Sequence, residues 1–176
     1  MSESPVPEEF SGLTPQLVVR DAAAAVAFYG TAFGADELVR VHGPDGRVMH
    51  CELLVCGSRL LLHDEYPEAG LAVPPEGGNS VVLHLYVPDV DASFRRAVGA
   101  GAEPVMEPAD AFWGDRYGVV RDPFGHRWSL ASRREDLSPD DLRQRARQWA
   151  ADQPTCRTPD AEPARPVMRR RPERAC

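Results

Sequence analysis

No stretch of this 176-residue chain is apolar for long enough to cross a membrane. The longest uninterrupted run lies around Ala22 to Phe28, whereas a spanning helix needs about 20 residues. The start, SESPVPEEF, lacks the basic and apolar regions of a signal peptide, so a cytoplasmic protein with no membrane partner is expected. Lysine is absent altogether: all 20 basic residues are arginine. In a sequence rich in Ala, Pro and Gly, that pattern reflects GC-rich coding rather than function. Positive charge is in deficit, with a net charge of -7, and phosphate binding needs a clustered positive surface, so no nucleic-acid partner is expected. Cysteine is scarce, and the four present show no C-x-x-C or zinc-ribbon spacing. They read as free thiols in a reducing compartment. A G-x-S-x-G elbow, a phosphate-binding glycine loop and an H-E-x-x-H pattern are also missing, which removes the sequence support for nucleophilic hydrolysis, nucleotide binding and zinc proteolysis.

What remains is sufficient for one α+β body. A strand over Leu13 to Val19 leads to Asp21, a helix cap, and a helix that buries Val26, Tyr29 and Phe33 before stopping at Gly34. Strands follow over Glu37 to Val41, Val48 to Val55 and Arg59 to Asp64, separated by the turns Gly43-Pro-Asp-Gly46 and Cys56-Gly57-Ser58. After a Pro/Gly-rich connection from Tyr66 to Asn79 the pattern restarts. A strand over Val81 to Val87, a cap at Asp89 and a helix through Phe94, Ala97 and Val98 lead to Gly101. Strands are then expected near Glu103 to Met106, Tyr117 to Arg121 and Arg127 to Ser132. A constant offset of 68 residues maps Asp21 on Asp89, Gly46 on Gly114, Gly57 on Gly125 and Arg59 on Arg127. These matches fall at caps and turns, where backbone geometry restricts the residue type. The expected fold is therefore two tandem βαβββ modules, residues 11–65 and 79–133 of a domain spanning 11–135, forming a cup-shaped, open barrel-like mixed sheet.

Beyond the repeat, Ser138 as N-cap, Pro139 at the first helical position, and Asp140 with Asp141 in the first turn mark a helix over 138–151. Its apolar Leu142, Ala146, Trp149 and Ala150 suit docking on the body or on a partner chain. Residues 152–176 are rich in Pro and Arg with little to bury, so a disordered tail is expected there, with no function for the Arg169-Arg170-Arg171 run.

Three stretches, TPQLVVRDAAAAVAFYGTAFGADEL, MHCELLVCGSRLLLHDE and above all FWGDRYGVVRDPFGHRWSLASR, resemble the vicinal oxygen chelate superfamily. That superfamily includes glyoxalase I, bleomycin- and fosfomycin-resistance proteins and extradiol dioxygenases; the resemblance covers roughly residues 11 to 135 and is greatest to the PhnB-like branch. It implies paired βαβββ modules about a pseudo-twofold, with a metal often held by one residue from each of four strands. By strand register those positions fall on Thr14, Leu61, Val82 and Ser129. Divalent transition metals need converging imidazole, carboxylate or thiolate groups, and this set supplies none.

Strand parity gives a separate reading of the cup, because residues two apart share a face. Pro15, Leu17, Val19, Leu60, Leu62, Leu83, Leu85, Val87, Trp128 and Leu130 form the apolar faces expected under the helices. The opposite faces carry Gln16, His63, His84, Tyr86, Arg127 and Ser129 toward the cup. His50 and Glu52 share one face of a neighbouring strand, and Trp113 and Tyr117 suit stacking on a planar ligand. His126 and His42 sit at turns and are expected to be solvent-exposed, without a catalytic role. A few polar groups among apolar walls are what small-molecule binding requires. The leading expectation is thus a homodimeric binding protein for a small organic molecule, serving sequestration or resistance, without a cofactor. The alternative is a lyase, isomerase or dioxygenase with a divalent metal displaced onto Gln16, His63, His84 and Glu52. A regulatory protein with a side-chain-filled cup is a third reading.

Overall fold

The computed structural model describes residues 12–75 and 80–153, together with Pro5, Pro7 and Phe10. The expected disordered tail lies almost wholly outside the described residues, as do Cys156 and Cys176. Two four-stranded mixed sheets account for the body. The first module contributes β1 (Gln16–Val19), α1 (Ala22–Phe33), β2 (Asp36–His42), β3 (Val48–Val55) and β4 (Ser58–Asp64). The second repeats this series as β5 (Val82–Tyr86), α2 (Val90–Gly99), β6 (Glu103–Asp110), β7 (Asp115–Arg121) and β8 (Arg127–Arg133). A final helix, α3, covers Pro139–Asp152.

The sheets have the same strand order, β1-β4-β3-β2 and β5-β8-β7-β6. In each, the first strand runs parallel to the fourth while the remaining pairs are antiparallel. The registers agree as well: Gln16 lies opposite Leu61 and His84 opposite Ser129, both pairs displaced by the same 68 residues. Asp21 and Asp89 cap their helices identically, each accepting a hydrogen bond from the backbone N–H three residues on, at 2.9 Å. Gly46 and Gly114 occupy equivalent turns at φ 85° and 95°, a conformation that a side chain disfavours.

Helices α1 and α2 pack on each other and on the same face of their sheets, burying Leu17, Val19, Leu60, Leu62, Trp128 and Leu130 as strand parity requires. The core is shared between modules. Trp128 of β8 meets Tyr29 and Phe33 of α1 at ring-centroid distances of 5.3 and 4.6 Å. The Tyr29 hydroxyl donates to Asp122, in the β7–β8 turn, at 2.7 Å. Asp122, buried, also accepts from Trp128 Nε1 and from the backbone N–H groups of Phe124 and His126, each at 2.9 Å.

Three expectations need correction. The first strand begins at Gln16 rather than Leu13; Pro15 has no N–H to give a ladder, and Leu13 is exposed. The sixth runs on to Asp110 through Pro104 and Pro108, tolerated because β6 is an edge strand whose pairing is interrupted by register shifts. His126 is buried rather than exposed: its turn folds over β1, and Nε2 donates to the Val18 carbonyl at 3.2 Å. His42 is exposed, with Nδ1 at 3.1 Å from the Gly46 carbonyl. Helix α3 buries none of its residues and meets the body through Trp149 against Phe112 and through the Arg145–Glu135 pair.

Candidate functional site

Strands β1 and β5 are the inner edges of the two sheets, each hydrogen-bonded to one neighbour only. Between them lies a cavity of about 1000 Å³. Leu17, Leu60, Leu83 and Trp128 make its walls apolar, while Gln16, His84, Arg59 and His126 bring polar groups to it. Gln16 and His84, expected to oppose each other from equivalent strands, both line this space. A cavity of this size accommodates a drug-sized molecule.

From His84 a polar and aromatic cluster extends across the open face of the second module. His84 Nδ1 is 2.8 Å from Ser129 Oγ. Its ring meets Tyr86 edge-on at 4.9 Å and lies nearly parallel to Tyr117 at 6.2 Å. Trp113 stands edge-on to Tyr117 at 5.3 Å. Asp115, which sequence reasoning did not single out, organises this cluster. Its buried carboxylate accepts from Tyr86 Oη at 2.8 Å and from Trp113 Nε1 at 3.1 Å, with Arg133 3.9 Å away. The available signal was parity, since Asp115 lies two residues before Tyr117 on the same strand. Tyr86 and Trp113 keep 51% and 37% of their surface exposed, so both rings remain accessible to a ligand.

The first module's open face is arranged differently. Glu52 is engaged by Arg59 and lies 3.1 Å from His50 Nε2, and Arg59 also stacks over Phe10. Its charge is thus already compensated. His63 is buried, and its Nδ1 lies 2.7 Å from the Asp64 carbonyl. It lines a second, smaller cavity of about 270 Å³ with Gln16, Met49, Tyr66 and Leu71. Arg127 pairs across the sheet with Val82 and Arg121, and its buried Nε has no partner among the described residues.

Thr14 and Val82 line the large cavity, and Leu61 and Ser129 occupy equivalent places on β4 and β8. Two hydroxyls and two aliphatic side chains do not fit a divalent transition metal. For the displaced set, His63 and His84 line different cavities that share Gln16, whereas Glu52 lines neither. Among the described residues no group of three or more His, Cys, Asp or Glu side chains converges on a metal-sized site.

The sequence profile of the Glyoxalase/Bleomycin resistance protein/Dioxygenase superfamily matches residues 13–130. An uncharacterised protein of Mycobacterium bovis is 48% identical over 134 residues, covering 74% of this chain and 88% of that protein. Among solved structures, TioX from Micromonospora sp. ML1 is 29% identical, with a TM-score of 0.56 over 70% of this chain and 98% of its own. A gene product from Arabidopsis thaliana is 33% identical, with a TM-score of 0.58 over 69% and 98%. The fosfomycin resistance protein FosX from Listeria monocytogenes is 16% identical and shares the fold, with a TM-score of 0.54 over 70% and 92%.

Proposed function

The chain belongs to the glyoxalase/bleomycin resistance protein/dioxygenase superfamily, and from that premise we propose that it binds a small organic molecule between its two sheets without a metal at the family's usual positions. The observation that carries this reading is the cavity between β1 and β5, which Gln16 and His84, both exposed, line among apolar walls. A ligand there gains from apolar burial, while the imidazole and the amide fix its orientation through hydrogen bonds. The accessible rings of Tyr86, Trp113 and Tyr117 extend the same face and suit a planar or aromatic part of the ligand. Sequestration or resistance is the role such a site serves. Within the superfamily we place the chain nearest the PhnB-like branch, on the strength of the stretch from Phe112 to Arg133. A cytoplasmic location accords with the absence, among the described residues, of any helix long and apolar enough to cross a membrane.

We further propose that the working form is a homodimer. Val39, Val41, Met49, Val105 and Met106 are each more than two-fifths exposed. The outer strands β2 and β6 are free edges, and unpaired edges with apolar side chains favour pairing. Light scattering at micromolar concentration should return twice the chain mass; a monomer throughout would refute it.

The binding reading is tested by thermal shift against a panel of planar and amphipathic small molecules, antibiotics among them, followed by calorimetry of each hit. His84→Ala should weaken binding by up to about tenfold, as expected for one lost hydrogen bond to a side chain that is exposed until a ligand covers it. Metal analysis of protein purified without an affinity tag completes the test. Stoichiometric metal that disappears in both His63→Ala and His84→Ala would replace this reading with that of a metal-dependent lyase, isomerase or dioxygenase.

A further inference from the structure

The open face of the second module carries an aromatic surface built around one buried charge. Tyr86 of β5 and Tyr117 of β7 flank Ala131 of β8 in a single row across the sheet, and Arg133 and Asp115 pair in the next row. The Tyr86 hydroxyl and the Trp113 indole N–H both donate to the same carboxylate oxygen, Asp115 Oδ2, at 2.8 and 3.1 Å. Two rings are thereby pinned by their polar ends to a buried residue, while Tyr86 and Trp113 themselves stay 51% and 37% exposed. Donation to a carboxylate sets negative charge beside each ring and strengthens the negative potential that an aromatic face already presents.

The charge of Asp115 is incompletely met. Both side-chain donors to it are neutral, and its paired guanidinium, Arg133, stands 3.9 Å from Oδ1. Arg133 is shared with Asp136 at 3.7 Å, so one positive charge serves two negative ones, and its side chain is 61% exposed. The same guanidinium lies 5.7 Å from the centre of the Tyr86 ring. The chain thus sets a loosely held cation of its own on this electron-rich surface. A cation that prefers such a surface to water must itself be weakly hydrated, which describes a quaternary ammonium better than a metal ion or a primary amine.

We propose that the surface formed by Tyr86, Trp113 and Tyr117 over Asp115 binds a small organic cation. Its quaternary ammonium group rests on the exposed rings of Tyr86 and Trp113, in competition with Arg133. The buried carboxylate acts through the rings and does not touch the ligand. This site rests on the reading that a ligand lies along the open face beside the β1–β5 cavity, and it adds the charge of the group that meets the rings.

The test uses the full-length protein, with choline as the probe and dimethylbutanol, which has carbon in place of the nitrogen, as its neutral isostere. NMR follows the indole N–H signals of the 3 tryptophans, and the one lost in Trp113→Phe is that of Trp113. Choline should shift this signal saturably and bind about fivefold more tightly than the isostere. Asp115→Asn keeps an acceptor for both rings but removes the charge; it should bring choline down toward the isostere's affinity and leave the isostere unchanged. Arg133→Gln removes the competing guanidinium and should tighten choline binding about twofold, a gain that a merely structural arginine would not give. The proposal is overturned if choline produces no saturable shift, if the isostere binds as tightly, or if Arg133→Gln weakens choline. A Trp113 signal that moves with protein concentration alone would assign the face to a second copy and overturn it as well. Equal binding of the two compounds would remove the charge preference and leave the β1–β5 reading standing, because that reading fails only on its own panel of small molecules.

Discussion

Replacing Asp122 with alanine should be among the most damaging single changes in this protein. The residue is 3% exposed and accepts four hydrogen bonds, two of them from the almost fully buried side chains of Tyr29 and Trp128. Hydrogen bonds to a charged acceptor contribute about 1.5–3 kcal/mol each, and a buried donor left without a partner costs about 1–3 kcal/mol. The Phe124 amide is only part-buried, so relaxation and water can replace its lost acceptor, and the cost comes mainly from Tyr29, Trp128 and the buried His126 amide. The expected loss is about 3–5 kcal/mol. At about 2–4 °C per kcal/mol for a domain of this size, that is a fall in melting temperature of roughly 6–20 °C. Urea denaturation followed by tryptophan fluorescence measures it directly, because Trp128 is one of the groups disturbed. A double-mutant cycle with Tyr29→Phe supplies the sharper check. Tyr29→Phe alone should cost about 1–2 kcal/mol, and most of that cost should vanish in the Asp122→Ala background. A loss below about 1 kcal/mol for Asp122→Ala, or additive costs in the cycle, would refute the assignment of Asp122 as the joint between modules.

Alkaline pH probes the same joint from the other partner. Burial, reinforced by the Asp122 carboxylate, raises the Tyr29 hydroxyl well above its ordinary value. The folded state then holds this proton more tightly than the unfolded chain, so stability intact below about pH 10 falls as pH rises beyond it; denaturation midpoints from pH 9 to 11 should show a shallower decline in Tyr29→Phe. Gly114→Ala should cost more than Gly46→Ala, though both glycines have positive φ. A Cβ at Gly114 would lie 2.7 Å from the Glu135 carbonyl oxygen, whereas at Gly46 it meets open space. The expected costs are more than about 2 and about 1 kcal/mol respectively, and equal costs by chemical denaturation would contradict the packing argument. Cys56 is exposed, while Cys51 is buried with its thiol pushed up by that burial. Brief alkylation at pH 7.5 with peptide mapping should therefore modify Cys56 well before Cys51; modification of Cys51 at a similar rate would show that the β3 packing opens readily.

The repeat was legible because its markers are backbone devices. Asp21 and Asp89 cap helices, and Gly46 and Gly114 close turns, so the restriction on residue type survives where the rest of the sequence has diverged. Strand faces were legible for a related reason. A period of two separates Leu17 and Val19 from Gln16, and Leu60 and Leu62 from Leu61 and His63, without any knowledge of what covers them. The partnerships of Asp115 and Asp122 were not legible. Each depends on groups brought close only by tertiary packing, as when Asp122 reaches Tyr29 across 93 positions of sequence. His126 was misread for the same reason: a turn is exposed by default, and nothing local reveals that this one folds over β1. The division of His63 and His84 between two cavities likewise arises from how the modules meet.

That meeting leaves β1 and β5 facing each other across a space that no shared ladder spans. The repeats are fastened on the helix side, through Tyr29, Trp128 and Asp122, and at β1 by the His126–Val18 hydrogen bond, while no strand ladder joins them along the seam itself among the described residues. Small rigid-body rolling of one sheet against the other therefore alters the width of the cavity while disturbing little of either sheet. A molecule lodged in the seam becomes a surface common to both repeats, and its binding free energy is then also a coupling energy between them. Occupancy would make the two halves unfold more nearly as one unit, with amide exchange slowing in β1 and β5 together rather than in either strand alone.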